Sequence, residues 1–216
     1  MSQQLTNIAT IAVLAFMGYR LVGGVRVARS GNGRVLARSI VRGIRWRHLW
    51  PVPFVLSVVI AVATGLMMVP GLSWGWWTAL GGDGNPVFGT SSTTAGTVWE
   101  WLIPLVFMSL LIPALPLFAH AEERIFRAGA EHWSGRRRAL KVVQFGMVHA
   151  LIGIPIGAAL ALSLGGAYFM VVYLRQYRQW HSTELATLES ARAHTAYNGV
   201  IIAVVLITVM IGAWVA

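Results

Sequence analysis

Residues 142–174 read VVQFGMVHALIGIPIGAALALSLGGAYFMVVYL, a stretch with no Asp, Glu, Lys or Arg. As one helix at 1.5 Å per residue it would reach roughly 50 Å, against a hydrocarbon core about 30 Å thick. Pro155 divides it, and Gly153, Gly157, Gly165 and Gly166 flank the division. Two passes, one of them short, fit better than one overlong helix. The chain then turns back near Pro155, so Arg136–Lys141 and Arg175, Arg178 share one side of the membrane.

The rest of the chain reads the same way. Leu5–Val22 is a first span ending in Gly23-Gly24, preceded only by Met-Ser-Gln-Gln and so unlike a cleaved signal peptide. Leu49–Val69 is a second, with Pro51 and Pro53 in its first turn and Pro70 closing it. Gly71–Thr97 is a loop, punctuated by Gly81-Gly82, Gly84, Pro86 and the Ser/Thr run Thr90–Thr94. Trp74, Trp76, Trp77, Trp99 and Trp101 around it suit an interfacial belt. Val98–Ala119 is a third span that runs into His120-Ala121-Glu122-Glu123, and His194–Ala216 is the last. The expected architecture is an all-α polytopic membrane bundle of about six helices with its N-terminus outside.

Composition agrees. The 216 residues are 56% hydrophobic and only 11% charged, where a soluble domain carries about a quarter. No Cys occurs, which excludes disulfides and thiolate metal sites. The net charge of +10 is carried in three groups: Arg20–Arg47, Arg124–Lys141, and Arg175, Arg178, Arg192. Gly71–Thr97 has no basic residue, only Asp83. That is the positive-inside pattern, with basic loops against anionic lipid headgroups rather than nucleic acid. Arg-rich, Lys-poor usage points to a GC-rich bacterial genome, and so to a multi-pass protein of a bacterial cell membrane.

Ionisable groups at membrane depth are costly and default to functional candidates. Three pairs stand four residues apart, on one helical face each: Glu123 with Arg127, Phe145 with His149, and His194 with Asn198. Each has an ordinary reading, as a surface bridge, an interhelical hydrogen bond or interhelical glue. The turn at Pro155 brings all three pairs to the cytoplasmic third of the bilayer. A single long helix would put His194 on the opposite side.

In order, these residues form EExxxR (Glu122, Glu123, Arg127), FxxxH (Phe145, His149) and HxxxN (His194, Asn198) motifs. At them the chain resembles the CAAX protease and bacteriocin-processing family of intramembrane proteases, which includes the type 2 CAAX prenyl proteases. The resemblance covers 98–216, a catalytic-core-like segment. Residues 1–97, with spans one and two, the basic cytoplasmic loop and the external Trp-rich loop, lie outside it. The family often has Gly directly after the motif Arg, whereas here Ala128 precedes Gly129.

The resemblance implies an endopeptidase that hydrolyses peptide bonds of membrane proteins or peptides near the cytoplasmic face. Glu122 would be the general base on a water, and His149 would hold that water or shuttle its proton. His194 and Asn198 would donate to the oxyanion, and Glu123, Arg127 and Phe145 would support the site. Zinc on Glu122, His149 and His194 is an alternative. The metal-free form is favoured, because one Glu cannot easily be both ligand and base. A non-catalytic scaffold or bacteriocin-immunity protein of the same fold, and a transporter with a proton relay, are the competing classes.

Overall fold

Gly153-Ile154-Pro155 is where the chain reverses. Gly153 takes a left-handed conformation at φ 91°, and Pro155 opens the following helix. The structure, a computed structural model, describes residues 3–79, 85, 87, 92 and 94–215. Gly81, Gly82, Asp83, Gly84, Pro86, Thr90, Ser91 and Thr93 of the expected loop lie outside the described residues.

Among the described residues there is no strand. The helices are α1 (Gln3–Arg29), α2 (Gly31–Arg42), α3 (Trp46–Leu49), α4 (Val52–Met67), α5 (Trp76–Ala79), α6 (Trp99–Phe126), α7 (Gly135–Met147), α8 (Ile156–Trp180) and α9 (Thr183–Val215). Two 3-10 turns, Ala130–His132 and Val148–Ile152, follow α6 and α7. Among the described residues five segments are long and apolar enough to cross a membrane: Thr10–Arg29, Trp46–Met67, Trp99–His132, Ile156–Trp180 and Thr183–Gly212. The expected sixth is α7 with its 3-10 extension. It is short and opens on Arg136-Arg137-Arg138, so it does not meet that criterion. It packs along α8, as the reversal at Pro155 requires.

α8 is the central helix, packed against α4, α7 and α9, while α6 packs on α9 and on α1. Small residues let these backbones approach, the usual solution in lipid. A Cβ at Gly146 would run into the Ala159 carbonyl and come within 2.7 Å of the Ser163 nitrogen. The Gly23-Gly24 pair does not end the first helix, which continues to Arg29. Gly24 instead admits Phe118, whose ring a Cβ would meet at 2.7 Å.

The two ends of the bundle differ. At one, Ile156 N–H donates to the Trp74 carbonyl at 3.0 Å and Gly157 N–H to that of Leu72 at 2.7 Å. Trp76 Nε1–H reaches the Leu151 carbonyl at 3.2 Å. Trp74, Trp99 and Trp101 are exposed there, as a belt requires, but Trp77 is buried against Gly153. At the other end, α3 and α9 meet through Arg47, Glu189 and Arg192, and Arg192 Nη2 donates to the Ser39 carbonyl of α2 at 3.4 Å.

The polar stretch Gln176–Ala193, which lies between the charge-free run and the expected last span, is almost wholly helical. α8 runs to Trp180, His181 turns the chain at φ 49°, and α9 starts at Thr183. His194 therefore sits three turns inside α9, roughly 16 Å from its start, not at the head of the last span.

Gly153 offers a direct check on the reversal. A Cβ there would meet the Trp77 indole, at a backbone conformation that L side chains disfavour. Gly153→Ala is expected to cost about 2–3 kcal/mol, read as a lower melting temperature. Gly135→Ala, which meets open space, should leave it unchanged.

Candidate active site

α6 ends inside the bundle rather than at its surface, and this places adjacent carboxylates in different surroundings. Successive helical residues point about 100° apart. Glu122 faces a cavity, while Glu123 faces the core and is fully buried. Arg127, also fully buried, donates from Nη1 to Glu123 Oε1 at 2.9 Å and from Nη2 to the Gly166 carbonyl at 3.2 Å. The pair is thus a core element, not a surface bridge.

Glu123 collects further donors. Ser190 Oγ–H donates to its Oε2 at 2.5 Å, and His194 Nδ1–H to its Oε1 at 2.9 Å. Ser190, His194 and Asn198 form one stripe along α9 at four-residue spacing. Ser190 escaped the sequence reading, although its place four residues before His194 was the available signal. Phe169 stacks on the His194 ring at 4.3 Å, Phe145 meets the same ring edge-on at 5.4 Å, and the Arg127 guanidinium lies 4.1 Å over the Phe145 ring. Gly166 makes room for this cluster, since a Cβ there would meet Phe145 at 2.7 Å.

The motif Arg is followed by a sharp turn, and Gly129, not Ala128, supplies its left-handed residue at φ 86°. Gly129 N–H donates to the Tyr173 hydroxyl at 3.0 Å, and that hydroxyl donates to Glu131 at 2.7 Å. Thr183 donates to the same carboxylate at 2.8 Å. The segment after α6 is thereby fastened to α8 and to the start of α9.

On the other side of Glu123's helix lies a cavity of about 470 Å³. Glu122 from α6, His149 from the 3-10 turn after α7 and Asn198 from α9 all line it. Phe107, Met108, Leu111, Leu162 and Ile202 give it a mainly apolar wall. His149 Nδ1–H donates to the Phe145 carbonyl at 2.9 Å, which leaves Nε2 as the nitrogen free to act. Glu122 Oε2 has no hydrogen-bond partner and stands 3.7 Å from His194 Nε2.

Of the four expected catalytic side chains, three therefore share one cavity. His194 stands behind Glu122, buried between the two carboxylates. Phe145 is a core residue that touches His149 and His194. α1 also reaches the cavity, through Phe16, Met17, Arg20 and Leu21, and nothing in the motifs signalled this. No family model, curated protein or solved structure matches the chain.

The zinc alternative meets a geometric difficulty. Among the described residues no three His, Asp or Glu side chains are grouped so as to hold an ion. Glu122, His149 and His194 form no such group.

Proposed function

We propose that the chain is an intramembrane endopeptidase, of the kind its motifs resemble, acting on apolar peptide segments with a water activated by Glu122. The observation that carries this reading is the meeting of Glu122, His149 and Asn198, from three separate elements, in one largely apolar cavity. Catalytic pockets are typically apolar, with a few convergent polar groups. A carboxylate on the wall of such a cavity is placed to accept a proton from a water held there.

The steps balance with the chain's own groups. Glu122 takes a proton from water as the oxygen attacks the scissile carbonyl carbon, and His149 Nε2 accepts the water's second hydrogen bond. The resulting oxyanion is met by the Asn198 amide, while His194, outside the cavity and bonded through Nδ1 to Glu123, acts by positioning Glu122. Collapse breaks the C–N bond, and the proton held by Glu122 passes to the leaving amine. Glu123 and Arg127 act through His194 and the helix end, as positioning residues.

The test is a vesicle reconstitution of the full chain with single-span membrane peptides, in which new peptide termini are sought by mass spectrometry. Wild type should generate them, and a complete absence of new termini across varied peptides would overturn the reading in favour of a scaffold. Asn198→Ala should lower kcat about 10²-fold with KM little changed, as for removal of one oxyanion donor. Cleavage should persist in chelator. Loss in chelator with recovery on added zinc would replace the glutamate-only chemistry.

A further inference from the structure

At the basic end of the bundle a second hollow, of about 400 Å³, lies between the segment around Gly43–Arg47, the end of α8 and the first turns of α9. Arg45, Arg47 and Arg192 line it, with Gln176, Gln179 and Trp180 completing the wall. One carboxylate, Glu189, stands among them. Three guanidinium charges against one carboxylate leave a net charge of +2.

Glu189 does not cancel the site, because it is already occupied. Its Oε1 accepts from His48 Nε2 at 2.8 Å and Arg47 Nη2 at 2.6 Å, and its Oε2 from Arg192 Nη1 at 3.0 Å. A guanidinium has five N–H donors, so both arginines keep donors to offer. Arg192 Nε is buried without a hydrogen-bond partner. Its guanidinium lies against Gly43, where any side chain would collide with it. Arg47 remains well exposed. Glu189 thus orients donors that it does not saturate.

The hollow sits where α8 ends and α9 begins, beside the exposed Trp180 indole, a side chain typical of the membrane boundary. Forked guanidinium donors at such a place match the several acceptor oxygens of a phosphate. We propose that this hollow binds a phosphate group, supplied by the headgroup of an anionic phospholipid in the surrounding leaflet. The proposal is independent of peptide cleavage.

The full chain, purified and placed in nanodiscs, tests it. Three conditions are compared: phosphatidylcholine alone, phosphatidylcholine with a minority of phosphatidylglycerol, and phosphatidylcholine with added inorganic phosphate. Native mass spectrometry reads the retained lipid, and the melting temperature in phosphatidylcholine alone reports that each variant is folded. Wild type should retain phosphatidylglycerol in preference to phosphatidylcholine. Arg45→Gln should weaken this preference roughly fivefold, the worth of one arginine at a membrane surface. Gln179→Glu, which leaves the Glu189 contacts alone, should weaken it similarly. Arg34→Gln, on α2 outside the hollow, should leave it unchanged. A melting temperature raised by inorganic phosphate alone keeps the phosphate site and assigns it to the free ion. Equal retention of the two lipids with no response to phosphate overturns the proposal, and so does an Arg34→Gln effect as large as that of Arg45→Gln.

Discussion

Glu122→Gln should reduce kcat/KM on a membrane-embedded reporter peptide by about 10²–10⁴-fold while leaving the melting temperature in place. The amide matches the carboxylate in shape but accepts no proton at neutral pH, so the general-base contribution of about 10²–10⁴ is lost. Its NH2 group would also donate to the attacking water, where an acceptor is needed. Stability should hold because Glu122 Oε2 makes no hydrogen bond, and its nearest charged neighbour, His194 Nε2, is 3.7 Å away. The contrast with the neighbouring carboxylate is the decisive feature. A residual rate within a few-fold of wild type would show that the proton goes elsewhere, and the proposed chemistry would fall with it.

The reversal at Pro155 was legible because two independent arguments met there: a stretch too long for one crossing, and basic residues that had to share a side. The observed left-handed Gly153 and the packing of α7 on α8 express both. What the sequence concealed was depth. Gln176–Ala193 is polar enough to read as a connection. Within it Glu189 finds partners in Arg47, His48 and Arg192, so polarity there does not mark the end of a helix. Helix ends cannot be placed by hydropathy where polar residues are satisfied by each other. The same reason explains Glu123 and Arg127, whose four-residue spacing fits an exposed bridge and a buried one equally. Only the aromatic shell of Phe145 and Phe169, contributed by other helices, decides between them. The contribution of α1 to the cavity wall is tertiary in origin, since Arg20 belongs to no periodic motif.

Glu123→Ala should be the most destabilising single change in the site, by about 3–5 kcal/mol, the usual cost of removing one partner from a buried ion pair. Glu123 accepts from Arg127, Ser190 and His194 together, so its loss removes the one carboxylate that three donors share, although Ser190 keeps the Phe169 carbonyl. The Arg127 guanidinium would be left fully buried with the Gly166 carbonyl and the faces of Phe145 and Phe169. Ring faces attract a cation by about 2 kcal/mol at best when desolvated, too little to replace a carboxylate. Arg127→Leu should cost less, since Glu123 then keeps two donors. The double variant Glu123→Ala/Arg127→Leu should be more stable than Glu123→Ala alone, because no uncompensated charge remains. Thermal unfolding of the three variants in one detergent measures the coupling. Strictly additive losses would mean that the two side chains stabilise the helix end separately. In that case the site would rest on the Ser190 and His194 bonds, and Ser190→Ala would become the costlier substitution.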